Sequence, residues 1–198
     1  MEDQELEAQV RDACTRGDLA EAARLAIDAY GAELGRYLEA MLRDDADAAD
    51  ALNTMCEATW KGLPAFRWEA PLRAWMYRLA RNAALMLRRD PYRRRARGTP
   101  LSELPEPVAA AAERSRTPLW QRTEVKDKFA ALRAELDDDD RELLALRVDR
   151  GLSWTEVVDL LAEPGASAAD RARLSASLRK RFERLKERLR KHLASQIA

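Results

Sequence analysis

The residues best equipped for chemistry lie on one predicted helix, where Trp75, Arg78, Asn82 and Arg89 fall within an arc of roughly 60° beside a core stripe of Leu72, Met76, Leu79 and Ala83. An aromatic ring, cations and an amide side by side can stack an unpaired base, hold its phosphate and read its edge. The loop before this helix, with Phe66, Arg67 and Trp68, is placed to close over a base turned out of its stack. The same residues also fit an ordinary bundle, with Trp75 in the core and the arginines solvated. A second cluster lies on the last predicted helix. There Leu174, Leu178, Phe182, Leu185, Leu189 and Leu193 form one stripe, while Arg179, Lys180, Arg181, Arg184, Arg188 and Lys191 cover the rest. Such a face suits duplex phosphate, and Ser177, Arg179, Lys180 and Arg184 lie near enough to the helix start to reach base edges. A solvated basic helix or a coiled-coil partner is the plainer alternative. Asp47, Asp50 and Glu57 make an acidic edge that repels DNA and suits a protein partner, or is simply a solvent face.

Helices must position all of these groups. Alanine and leucine are abundant in the 198 residues while valine and isoleucine are scarce, which favours helix over strand almost everywhere. Apolar residues recur at three and four from Leu19 to Tyr30 and from Leu34 to Leu42. Acids around Asp44 break the pattern, and another helix runs through Leu52, Met55 and Cys56 to Trp60, stopped by Gly62 and Pro64. Pro71 suits a helix's first turn, and the pattern continues to about Arg89. Pro100, Pro105, Pro107 and Pro118 punctuate residues 92–118, which read as an extended linker. A second helical unit follows. Asp137 to Asp140 mark a helix start, Gly151 a stop, and Ser153-Trp154-Thr155-Glu156 has the spacing of a capping box. Helix, glycine turn, capped short helix and basic helix is the order of a helix-turn-helix module, although residues 162–173 make a long turn for one. The expected fold is all-α, with two helical domains over residues 1–91 and 119–198 joined by the extended linker over 92–118.

Lysine plus arginine and aspartate plus glutamate both number 35, but the zero balance hides segregation. Residues 1–63 hold 15 acids and 6 bases, residues 64–120 hold 12 bases and 5 acids, and residues 171–198 hold 10 bases and 2 acids. Different parts of the chain therefore suit different partners. No apolar run approaches the roughly 18 residues of a membrane span, so no membrane insertion is expected. The acidic start, Met1-Glu2-Asp3-Gln4-Glu5, is unlike a secretory signal and points to the cytoplasm. Cys14 and Cys56 have no metal-ligand spacing and read as small hydrophobes. His192 is the lone histidine, and no nucleotide-binding, zinc-protease or nucleophile-elbow motif occurs, so no catalytic residue, metal or cofactor is expected.

The stretch Asp47-Ala48-Ala49-Asp50-Ala51-Leu52 through Trp60, then Phe66-Arg67, then Ala70-Pro71-Leu72-Arg73-Ala74-Trp75-Met76-Tyr77-Arg78-Leu79-Ala80-Arg81-Asn82 resembles region 2 of the extracytoplasmic-function sigma factors of bacterial RNA polymerase. Residues Gly151 to Val158 are similar to the G-L-S-Y-E-E-I-A wording of that family's region 4. The resemblance implies a non-catalytic subunit that binds core RNA polymerase and directs promoter recognition and melting. It implies that the helix around Asp47, Asp50 and Asn53 binds the polymerase clamp. It also implies that Trp75, Arg78, Asn82 and the loop from Phe66 to Glu69 engage the melted −10 element, and that Ser177, Arg179, Lys180, Arg181 and Arg184 meet the −35 element. Inhibition by an anti-sigma factor is a further expectation from the resemblance alone. The chain departs from the family at Ala49, at Asn53-Thr54, at Trp68 and in the long stretch 162–173. The competing reading is a helix-turn-helix regulator that dimerises through its acidic front and binds duplex DNA without polymerase.

Overall fold

The structure, a computed structural model, describes residues 2–42, 44–89, 100–116, 135–163 and 165–197. It is all-α, and no strand occurs among the described residues. The elements are α1 (Glu2–Thr15), α2 (Leu19–Met41), α3 (Asp45–Gly62), a 3₁₀ turn (Leu63–Ala65), α4 (Leu72–Arg89), a second 3₁₀ turn (Leu101–Glu103), α5 (Glu106–Arg114), α6 (Asp138–Leu144) running into a π-helical turn (Ala145–Asp149), α7 (Trp154–Leu161) and α8 (Ala168–Ile197). Chain contacts divide it into two compact units, residues 1–127 and 128–198. Among the described residues no helix is long and apolar enough to cross a membrane.

The first unit is built around α2, against which α1, α3, α4 and α5 all pack. Its apolar positions run most of the way round the helix, as burial by several neighbours requires. Ala22, Ala23, Ala26, Ile27, Leu34, Tyr37, Leu38 and Met41 are all fully buried. Aspartates start the helices. The Asp18 carboxylate accepts from the Glu21 N–H, and Asp44 accepts from the N–H groups of Ala46 and Asp47, satisfying donors that a first turn leaves without partners. The break after α2 thus carries the N-cap of α3, as its acids suggest, at Asp44.

Residues 106–114 correct the expectation of an extended linker. Pro105 and Pro107 fall at the cap and first turn of α5, where a missing N–H costs nothing, and the helix buries Val108, Ala111 and Ala112. Its last turn seats Ser115 in a notch on α2 formed by Gly31 and Gly35. A Cβ on Gly31 would stand 2.1 Å from Ser115 Oγ and 2.8 Å from Ser115 Cβ, and one on Gly35 would stand 3.0 Å from the Ser115 carbonyl oxygen. Arg114 pairs with Asp28 at 2.6 Å beside the notch. Prolines mislead here because they mark where a helix begins as readily as where one is forbidden. The remaining linker residues, 92–99 and 117–118, lie outside the described set.

In the second unit Asp137 caps α6 by accepting from the Asp140 N–H, and Ser153 and Glu156 complete the expected capping box of α7. Gly151 takes φ +64°, a conformation natural to glycine, where the chain leaves the π turn. Leu136, Leu144 and Leu185 form a buried cluster against which Phe182 and Leu189 pack. The long turn expected over residues 162–173 shrinks to residues 162–167, because α8 begins at Ala168. Ser167 accepts from the Asp170 N–H at 3.2 Å, giving that start a cap, and Arg171 pairs with Asp159 of α7 at 2.7 Å. Sequence periodicity missed these turns because residues 168–173 are polar or small and present no apolar stripe.

Gly31→Ala tests the seating of α5. Overpacking costs about 1–3 kcal/mol, while alanine in place of glycine returns about 1 kcal/mol of helix propensity. Urea unfolding followed by far-UV circular dichroism is expected to show net destabilisation that Ser115→Gly largely reverses. An alanine variant as stable as the parent would mean that the notch is empty.

Candidate nucleic-acid interface

The loop between α3 and α4 and the first turn of α4 carry a ladder of rings. Phe66 stacks on Trp75, with centroids 4.6 Å apart and planes 21° from parallel, and meets Trp68 at 4.8 Å with a 50° tilt. The Trp75 indole also lies on Gly62, where a Cβ would come within 2.9 Å of Cζ2, so glycine at the end of α3 makes the room. All three rings are half-buried. Trp75 is therefore neither sealed in the bundle nor the open ledge that its helical position implies. Phe66 occupies one face, and an incoming base must stack on a free face of the ladder or displace Phe66.

Arg67, Asn82 and Arg89 are exposed, and Arg78 is half-buried. Two other cations of α4 are spent inside the unit. Arg73 pairs with Glu33 of α2, which also accepts from the Tyr77 hydroxyl at 2.5 Å, and Arg88 donates to the Met41 carbonyl at 2.5 Å. Counting charges along α4 does not separate these structural arginines from the exposed Arg89. On α3, Asp47, Asp50 and Glu57 are half-buried, and Glu57 pairs with Lys61. Asn53 is only 8% exposed, and its Oδ1 accepts from Arg116 just beyond α5 at 3.4 Å. The acidic edge is thus interrupted at Asn53 by the chain that follows α5. Cys56 is buried behind this edge, and burial pushes its thiol up to about 12, which leaves it inert.

Two residues of α1 were missed because nothing in the local sequence places them near the loop. Arg11 lies over the Trp68 ring, with Cζ 4.6 Å from the centroid, and Glu7 accepts from the Leu72 N–H at 2.6 Å. Neither contact has a spacing to find, since each joins groups more than fifty residues apart.

In the second unit Ser177, Arg179, Lys180 and Arg184 of α8 are exposed, but because the helix begins at Ala168 they lie in its third to fifth turns and not, as the sequence suggested, near its start. Arg181 is not exposed. Its guanidinium bonds Asp137 at 2.7 Å, Asp139 at 2.9 Å and Asp140 at 2.5 Å, and Arg188 also reaches the buried Asp140 carboxylate. The aspartates that read as partners of a helix dipole thus also fasten α8 to α6. Trp154 opens α7 with Arg147 and Arg179 over its ring at 4.6 and 5.3 Å and Phe182 edge-on at 5.6 Å. Burial pushes the Asp137 carboxyl up, but the Asp140 N–H and the charges of Arg181 and Arg188 outweigh it, holding the group below its ordinary range. Among the described residues no cluster of three or more histidines, cysteines or acids is placed to hold a metal.

Residues 26–96 match the Sigma-70 region 2 family, a span that takes in most of α2, all of α3, the ring-bearing loop and α4. No curated protein and no solved structure matches the chain. The match supports a sigma-70 family factor and, with it, a role in RNA polymerase binding and promoter recognition. The second unit lies outside the matched residues.

Acid should loosen the α6–α8 clasp. A carboxyl whose pKa is lowered on folding contributes stability above its unfolded pKa, about 4, and loses it as pH falls through the lower folded value. Thermal melts from pH 7 to pH 2 are expected to show that loss, and Asp137→Asn to flatten it while lowering stability at pH 7. Arg181→Ala should cost about 1–3 kcal/mol at neutral pH by taking one donor from buried Asp140. A neutral effect of both substitutions would exclude the clasp.

Proposed function

We propose that the chain is a promoter-specificity subunit of the extracytoplasmic-function sigma class, which binds bacterial core RNA polymerase and directs promoter recognition and melting without catalysis of its own. One observation carries this reading. Within the residues that match region 2, Phe66 and Trp68 of the loop before α4 and Trp75 of α4 form a ladder of three half-buried rings, with Arg67 of the same loop and Asn82 of α4 exposed, the equipment for capturing unpaired bases.

In this reading Asp47, Asp50 and Glu57 on α3 meet the polymerase, with Asn53 contributing once Arg116 releases it. Phe66, Arg67, Trp68, Trp75, Arg78, Asn82 and Arg89 engage the melted −10 element. Ring faces stack bases, Asn82 reads an edge, and the arginines hold phosphate. Ser177, Arg179, Lys180 and Arg184 on α8 meet the −35 duplex, and Arg181 assists by holding the helix that carries them. The helix-turn-helix order of the second unit and the exposed cations of α8 support this assignment. A cytoplasmic location and control by an anti-sigma factor belong to the same reading.

Run-off transcription with core polymerase on templates randomised across both promoter elements is the test. Transcripts that need both the protein and core enzyme are expected, with a selected sequence at each element. Tight duplex binding without polymerase, together with no core-dependent transcript, would replace this reading with that of a free-standing regulator. Asn82→Ala should relax selection at a melted position, each lost base contact costing about 1–3 kcal/mol of discrimination. Unchanged base selection would remove Asn82 from that role.

A further inference from the structure

We infer that Arg11 of α1 is a positioning residue for base selection, acting through Trp68; the inference rests on the reading of the Phe66–Trp68 loop as the site that meets the melted strand. Trp68 has φ +59°, the only non-glycine residue with a positive φ among the described residues. A bulky side chain in the left-handed region is strained, and such a residue persists only where its surroundings hold it. Those surroundings are visible. The Arg11 guanidinium lies over the indole with Cζ 4.6 Å from the ring centroid, and Phe66 meets the same ring at 4.8 Å.

One turn earlier on the same face of α1, Glu7 accepts from the Leu72 N–H at 2.6 Å, serving one of the donors that the first turn of α4 leaves without partners. Glu7 and Arg11 therefore grip the loop near both ends of residues 68–72. They can do so because α1 is itself fixed. Val10 and Ala13 are fully buried against the bundle, and Asp3 accepts from the Tyr30 hydroxyl at 3.0 Å. Phe66 links Trp68 to Trp75, so a shift of Trp68 passes along the whole ladder on which bases would stack. Without Arg11, Trp68 is free to return to a negative φ, and the ladder loses its outer support.

The test is a double-substitution cycle read by run-off transcription with core polymerase on templates randomised in the melted element. Arg11→Ala should reduce the preference for the selected base about fivefold, the scale of a lost cation–π contact. Thermal stability and core-polymerase affinity should stay at parental values. Trp68→Gly keeps the backbone conformation, which glycine adopts freely, and removes the ring; in that background Arg11→Ala should change nothing further. An unchanged preference in Arg11→Ala, or an equal loss in both backgrounds, overturns the inference, the second outcome assigning Arg11 to direct phosphate contact. If Arg11→Ala does not fold, Arg11→Gln, which keeps much of the side chain's length but removes the charge over the ring, takes its place with the same outcomes. Failure of the parent protein to direct any core-dependent transcript removes the functional reading itself, a result distinct from an active parent with an indifferent Arg11.

Discussion

Glu33 on α2 accepts from Tyr77 and pairs with Arg73, and that clasp fixes how α4 is turned about its own axis. Arg73 and Tyr77 lie one turn apart on the same side of the helix. With that side held against α2, and with Leu72, Met76, Ala80 and Leu87 buried beside it, geometry at about 100° per residue carries Trp75, Arg78, Asn82 and Arg89 to the far side. The carboxylate is half-buried, where a charge-assisted pair is worth more than on open surface. The candidate interface thus depends on a polar contact that touches none of its members. Arg88 donating to the end of α2 repeats the device at the other end of α4.

The same economy appears in the second unit, where Arg181, Arg188 and a row of acids orient a helix on which Arg179, Lys180 and Arg184 are exposed. Asp140 is buried and would be costly without partners; Arg181 and Arg188 supply them and in doing so set the rotation of α8. The exposure of Ser177, Arg179, Lys180 and Arg184 follows from that rotation. In both units an arginine held by another helix sits within a turn of an exposed cation: Arg88, which donates to a carbonyl of α2, beside Arg89, and Arg181, held by the acids that start α6, beside Lys180 and Arg184.

Close approach between helices is the other constraint. Gly31 and Gly35 let α5 seat Ser115 against α2, and Gly62 lets Trp75 lie against the end of α3. The first contact turns a proline-rich stretch from a tether into part of the bundle, and places Arg116 on Asn53 in the middle of the acidic edge. The second holds the aromatic ladder off the core, half in and half out of water.

Local rules were enough for the class of fold, for most helix boundaries, and for the cap residues at Asp44, Asp137 and Ser153, because each depends on contacts within one or two turns. They were also enough to find the rings, the amide and the segregated charge. What they could not supply was the partner of each charge. Arg73 held by Glu33, Arg181 held by Asp137, Asn53 turned inward, Arg11 set over Trp68 and α5 seated on α2 are all decided between segments distant in sequence. Such pairings leave no periodic trace, since an ion pair or a ring contact constrains two positions and not the residues between them. The sequence by itself determined which rings, amides and charges the chain carries; the tertiary structure decided which of them the packing of the helices engages, because each such contact joins residues that local spacing cannot relate.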